Sequence, residues 1–396
     1  MFRLIPLKGG LENIDGFYFQ GVNRGAKPND TPDTAFIRSD TLCDIEAVFT
    51  TNRFQAAPIK HYKKYPDDFK TNFLLINSKN ANAMTGKEGI EDIEEIFRSL
   101  KKTLPQIENP VMSSTGVIGY RLDKENIVNS FSKFDFNAKD SDSAAKAIMT
   151  TDSFKKEIAF KVELENGKSF HIAAIAKGAG MINPAMATML CFILTDVSVP
   201  KEDMKKLLFK HTQTTFNAIS VDGDTSTNDT VMLLTNNLNE NYDKEAFSEA
   251  LREVMRNLAL MIVKDGEGAT KVVAFEVKGA KNDDEAKIIA KSLSNSLLVK
   301  TALFGEDPNW GRIASTIGAS GCECDEEKLK IFYDDVLVYS KEKKEMDKET
   351  EEKAFKVMKK NSFKIVCDLG IAEGSFTAYG CDLSYEYVKI NADYRT

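Results

Sequence analysis

Histidine is scarce in this chain. Only His61, His171 and His211 occur in 396 residues. A Ser-His-Asp triad or a multi-histidine metal site has little to draw on. Cysteine is also sparse. The six present (Cys43, Cys191, Cys322, Cys324, Cys367 and Cys381) are too few for a disulfide scaffold and suit a reduced compartment. Cys322 and Cys324 form a C-x-C with no second pair at zinc-site spacing, so no metal is expected. No stretch approaches the roughly 18 apolar residues of a membrane span. The first ten residues, MFRLIPLKGG, lack the apolar core of a signal peptide. A cytoplasmic protein is expected. Basic residues are outnumbered, 53 against 60 acidic, for a net charge of −7. That argues against a nucleic-acid or anionic-membrane surface. Motifs are missing too. Gly86-Lys87 and Gly167-Lys168 lack the upstream glycine of a P-loop, and no G-x-S-x-G or H-E-x-x-H occurs. Gly178-x-Gly180 lacks the third glycine of a dinucleotide fingerprint, so no cofactor is expected.

What remains is an ordinary globular balance, 42% hydrophobic and 29% charged. The length suits one large domain or two to three smaller ones. The first 80 residues read as irregular, with short apolar runs such as Phe73–Ile76. Ile90, Ile93, Phe97 and Leu100 recur at helical spacing. Residues 132–146 read as a polar loop. Residues 159–177 read as a hairpin turning at Asn166-Gly167, because both residues tolerate positive φ. Pro200 opens a helix carrying Met204, Leu207, Leu208 and His211. Phe247, Leu251, Val254, Leu258 and Ile262 mark another, stopped at Gly266. Val272–Val277 reads as a strand, and Ile289, Leu293 and Leu297 as one helix. Residues 341–360 hold 14 charged residues and read as an exposed helix. The end, 362–396, reads as strand. Mixed strands and helices argue α/β or α+β.

Three segments invite chemistry. Asp222-Gly-Asp-Thr-Ser-Thr-Asn-Asp229 resembles a calcium loop at first sight. It has Thr227 and Leu233 where an EF-hand needs glycine and glutamate. It reads better as a polar turn bonding its own backbone, whose carboxylates can still line a site. Lys177–Asp196, KGAGMINPAMATMLCFILTD, is either a tight turn feeding a buried strand or something more. Cleavage between Ala187 and Thr188 would free an α-amine beside the Thr188 hydroxyl. An α-amine has a pKa near 8, so it can activate that hydroxyl without histidine. Ser113-Ser114-Thr115-Gly116-Val117-Ile118-Gly119 is either a plain Ser/Gly turn or a source of oxyanion donors.

At these residues the sequence resembles the ornithine acetyltransferase family, the glutamate N-acetyltransferases of the cyclic arginine pathway. KGAGMINPAMATML, SSTGVIG, AIMTTD, DGDTSTNDT, DGEGATK, GEDPNWGRI and the terminal NADYRT stand in the family's order, from about residue 111 onward. Family members often carry serine at position 179 and asparagine at 185, where this chain has Ala179 and Ala185. The second change bears on cleavage rate.

The resemblance implies an α/β fold of layered sheets and helices, of the self-processing N-terminal-threonine type. It implies a cut between Ala187 and Thr188 into an α chain, 1–187, and a β chain, 188–396, with two of each in the assembly. Thr188 would be the nucleophile, and Thr115 and Gly116 would stabilise the oxyanion. Thr151, Lys177, Thr188, Glu267, Asn391 and Thr396 would bind substrate. The implied reaction moves an acetyl group from N2-acetylornithine to glutamate, with acetyl-CoA as an additional donor in some members. The implied partners are small amino-acid substrates. Two other readings stay open. One is a self-cleaving amidohydrolase or aminopeptidase with water as acceptor. The other is an intact, non-catalytic binding protein.

Overall fold

The computed structural model describes residues 2–183 and 189–393. Eight strands of the first half and one of the second build a nine-stranded mixed sheet. They are β1 (Phe2–Leu7), β2 (Phe17–Val22), β3 (Thr34–Phe49), β4 (Lys70–Asn77), β5 (Val111–Ser114), β6 (Lys156–Leu164), β7 (Ser169–Lys177) and β8 (Leu190–Val197), joined after the short β9 (Ile219–Ser220) by β10 (Thr230–Asn239). The order is β1-β6-β7-β8-β10-β3-β4-β5, with β2 paired to β3. A six-stranded sheet takes β9 together with β11 (Val272–Ala280), β12 (Lys330–Tyr333), β13 (Val336–Tyr339), β14 (Ser362–Asp368) and β15 (Gly374–Cys381).

The large sheet buries both faces, and alternation along its strands divides the residues between them. On β7, Phe170, Ile172, Ala174 and Ala176 join one core, while Ala173 and Ile175 join the other. On β8, Cys191 and Ile193 face the first core, and Leu190, Phe192 and Leu194 the second. Two helices, α1 (Lys201–Thr214) and α2 (Lys244–Lys264), fill the first core. The apolar stripe Phe247, Leu251, Val254, Leu258 and Ile262 of α2 packs there with Cys381 and Tyr379 of the small sheet. The small sheet covers its other face with α3 (Asp283–Asn295) and its own core around Phe275, Ile289 and Ile365. The α/β layering implied by the resemblance is what the chain adopts.

The hairpin expected over 159–177 is β6 and β7, paired from Lys156↔Ala176 to Glu163↔Ser169. The helix through Ile90–Leu100 is Glu88–Thr103. Five other expectations need correction. The first 80 residues are not irregular, since they hold β1 to β4. The 16-residue β3 pairs with β2, β4 and β10. Its exposed Asp40–Leu42 interrupts the apolar pattern where the register with β4 shifts. The stretch 132–146 is not all loop. A helix, Ser141–Ala147, starts on Asp140, whose side chain accepts the Ser143 N–H, and buries only Ser141 and three alanines. Ile289–Leu297 is not one helix. Ser296 leaves helical geometry and caps a second one, Leu297–Phe304, through the Val299 N–H. Of 341–360 only Lys348–Met358 is helical, and it buries Ala354, Val357 and Met358. After β14 and β15 the chain ends not in strand but in a helix, Tyr385–Asp393, which buries no residue and so shows no apolar period. Among the described residues, no helix is long and apolar enough to cross a membrane.

Candidate active site

The C-terminal ends of β7 and β5 and the loops after them converge on a cavity of about 170 Å³. Six of the residues singled out above line it: Thr115, Gly116, Thr151, Lys177, Glu267 and Asn391. Ala187, Thr188 and Thr396 lie outside the described residues. Among the other residues that line it, Asp222, Asp224, Asn228 and Tyr387 were not singled out individually as substrate contacts. The first three belong to the DGDTSTND loop, so the sequence had flagged their segment. Tyr387 carried no such signal, because it lies in the helix that was read as strand.

Lys177 ends β7 and is only 2% exposed. Beneath it lies a chain of buried charges. Asp152 Oδ2 is 3.8 Å from Lys177 Nζ, and Asp152 Oδ1 is 2.7 Å from Lys156 Nζ. Lys156 also meets Asp265 at 2.5 Å. Asp152 further accepts the Gly178 and Thr150 N–H groups, and Asp265 accepts the Ser153 N–H. The network therefore fixes together the Thr150–Thr151 turn, the end of β7 and the turn before Glu267. Burial alone would raise the Asp152 pKa; Lys177 and Lys156 outweigh it and hold the carboxyl below the usual range. For Lys177, burial wins over the attraction of Asp152, and its pKa is lowered.

Glu267 is buried, and its N–H donates to the Ala179 carbonyl at 2.9 Å. Its Oε2 accepts Asn391 Nδ2 at 2.7 Å, which ties the C-terminal helix to the site. Gly180 makes room for this carboxylate, since a Cβ there would lie 2.3 Å from Glu267 Oε1. Gly116 is required for two reasons. Its φ is +129°, and a Cβ would lie 2.3 Å from the Lys79 carbonyl carbon. The Thr115 N–H donates to Asn77 O at 3.0 Å. Asn228 Nδ2 reaches Ser114 O at 2.8 Å and Ala81 O at 2.6 Å, locking the acidic loop to the Ser-Ser-Thr-Gly turn.

Asp222 is held chiefly by backbone. It accepts the Met181 N–H at 2.6 Å and the Ile182 N–H at 2.8 Å, with the Tyr387 hydroxyl at 3.3 Å. Burial raises its pKa, against those amides. The arrangement offers a buried cation, a buried carboxylate, hydroxyls and backbone donors around one small space. Such a set suits a zwitterionic amino acid. The histidines stay outside it. His61 packs against Tyr65 and Phe97, His171 pairs with Asp196, and His211 meets Ser248.

Two known proteins resemble the chain along nearly its whole length. The arginine biosynthesis bifunctional protein ArgJ of Wolinella succinogenes is 60% identical over 396 residues, all of both chains. A glutamate N-acetyltransferase of Methanocaldococcus jannaschii is 45% identical over 98% of this chain and 99% of its own. A crystal structure of the arginine biosynthesis bifunctional protein ArgJ from Bacillus halodurans is 40% identical, with a TM-score of 0.47, over 51% of this chain and 98% of its own. The ArgJ family model matches residues 18–396. With that match and the full-length identity to the Wolinella and Methanocaldococcus proteins, the chain belongs to the ArgJ family.

Proposed function

We propose that this protein is a glutamate N-acetyltransferase of arginine biosynthesis, acting in the cytoplasm. Its acetyl donor is N2-acetylornithine and its acceptor is glutamate. The bifunctional name of its relatives leads us to include acetyl-CoA as a second donor. The chain first cuts itself between Ala187 and Thr188, and chains 1–187 and 188–396 then assemble two and two. The Thr188 hydroxyl attacks the acetyl carbonyl while the Thr188 α-amine takes its proton. Thr115 and Gly116 face the oxyanion. The C–N bond breaks, ornithine leaves with the proton, and an acetyl-threonine ester remains. Glutamate's amine attacks that ester to give N-acetylglutamate. Lys177 and Thr151 receive the α-carboxylate, Glu267 with Asn391 receives an ammonium group, and Thr396 is a further substrate-binding residue.

The observation that carries this reading is the meeting of Thr115, Gly116, Thr151, Lys177, Glu267 and Asn391 around one cavity. They come from five separate segments. The test is acetyl transfer from acetylornithine to glutamate, run beside acetyl-CoA as donor. N-acetylglutamate is the expected product, whereas release of acetate alone would make the protein a hydrolase. Thr188→Ala should abolish both cleavage and transfer. Retained transfer would remove Thr188 as nucleophile.

A further inference from the structure

The Asp222–Asp229 loop is not explained by substrate binding alone. Its two end carboxylates reach the chain on either side of residues 184–188. Asp222 accepts the Met181 and Ile182 N–H groups. Asp229 Oδ1 accepts the Met189 N–H at 3.1 Å. The residues between add further ties. Asn183 Nδ2 donates to Gly223 O at 2.8 Å, and Thr225 Oγ1 donates to Asn183 O at 2.9 Å. The Thr230 N–H donates to Met189 O at 3.0 Å. Asp229 is fully buried, and its Oδ2 finds no hydrogen-bond partner among the described residues. Leaving a buried carboxylate oxygen unbonded costs free energy. An alanine or leucine at 229 would avoid that cost but lose the acceptor for the Met189 N–H.

We infer that this loop is the positioning frame for self-cleavage, with Asp222 and Asn183 anchoring the chain before the scissile bond and Asp229 anchoring the residue directly after Thr188. The inference rests on the cleavage proposed above. In that reaction the Thr188 hydroxyl adds to the Ala187 carbonyl. The Ala187–Thr188 C–N bond breaks as the C–O ester bond forms, and the hydroxyl proton passes to the freed amine. Water then hydrolyses the ester. Attack on the preceding carbonyl needs the chain bent and held at near-contact distance. A misplacement of about 1 Å costs on the order of 10²-fold in rate. Fixing both flanks on one short loop supplies that constraint. After the cut, Asp222 would still hold the new end region of the first chain, and Asp229 the new start of the second.

The test follows precursor conversion to chains 1–187 and 188–396 on denaturing gels, using full-length protein. Asp229→Ala should slow conversion on the order of 10²-fold. Asp229→Asn keeps an oxygen acceptor for the Met189 N–H and should stay within about tenfold of wild type. Asp229→Leu fills the space without an acceptor and should be as slow as Asp229→Ala; leucine converting at the wild-type rate would make Asp229 a space-filling residue and overturn its role in the frame. Asn183→Ala, at a half-buried position, should slow conversion about fivefold, the rate equivalent of one lost hydrogen bond. It carries the test if Asp229→Ala fails to fold. Conversion of Asp229→Ala and Asn183→Ala at the wild-type rate, with wild type cutting normally, would overturn the frame and leave the proposed function standing. A wild-type chain that stays whole would overturn the cleavage and the frame together.

Discussion

Buried carboxylates sit on two sides of the candidate site, and they are held by different means. Asp152 and Asp265 are bonded to Lys156, and Asp152 also lies beside Lys177. Asp222 and Asp229 form no ion pair among the described residues and are held mainly by backbone N–H groups. Accordingly the Asp152 carboxyl is held below the usual range, while burial pushes Asp229 well above it. The first group is a charged scaffold with matched positive and negative ends. The second uses carboxyl groups as acceptors for particular amides. Opposite charges supply orientation under Lys177. Amide acceptors fix backbone where a peptide segment has to be held.

The strongest way to break this comparison is to remove the shared cation of the first group. Lys156→Met keeps much of the side chain's volume but removes the cation that two buried carboxylates share. Asp152 would keep Lys177 and two amides, so the loss falls mainly on Asp265. Breaking a buried pair from one side costs about 3–5 kcal/mol. Denaturant unfolding of the uncut Thr188→Ala parent and its Lys156→Met derivative measures it. A loss below about 1 kcal/mol would mean the paired group is no more dependent on charge than the other.

A smaller effect separates the groups by pH. Asp152 holds its proton less tightly when folded. Its contribution to stability is full above its unfolded pKa of about 3.9 and is lost as pH falls toward the lower folded value. Asp229 holds its proton more tightly when folded. Its stability contribution is full below about 3.9 and declines as pH rises through the higher folded value. Asparagine at either position removes the titration. Relative to the same uncut parent, Asp152→Asn should lose most stability at neutral pH, with the deficit shrinking in acid. Asp229→Asn should gain relative stability as pH rises above about 4. Thermal unfolding from acid to neutral pH reads both slopes, and slopes of the same sign would erase the distinction between the two groups.

The sequence showed these groups unequally. The hairpin to Lys177 was legible because alternation and Asn166-Gly167 are local signals. The helix through Phe247–Ile262 was legible because its stripe faces a core. Lys156 and Asp265 were not, because only folding brings a strand start and a helix end within 2.5 Å. The loop 222–229 was visible as a polar turn, but its grip on Met181, Ile182 and Met189 spans about forty residues of sequence. The four strands before residue 80 were missed because charged positions interrupt β3. Tyr387 was missed because its helix buries nothing and has no apolar stripe to find.

The smallest test concerns the one side-chain contact of Asp222 that crosses to the C-terminal helix. The Tyr387 hydroxyl donates to Asp222 Oδ2 at 3.3 Å, a long O–H···O bond. The two backbone bonds to the same carboxylate are 2.6 and 2.8 Å. If amides are what hold Asp222, the tyrosine adds little. Tyr387→Phe keeps the ring and should cost no more than about 0.5–1 kcal/mol of stability, with precursor conversion within about threefold of wild type. The same helix carries Asn391, which bonds Glu267, so a modest rise in KM for acetylornithine would accompany it as the helix loosens. A tenfold or greater loss in conversion would show that Asp222 depends on its side-chain partner. The acidic loop would then work as the Lys156 network does, by a partner outside the backbone, and the contrast between the two groups would narrow to whether that partner carries a charge.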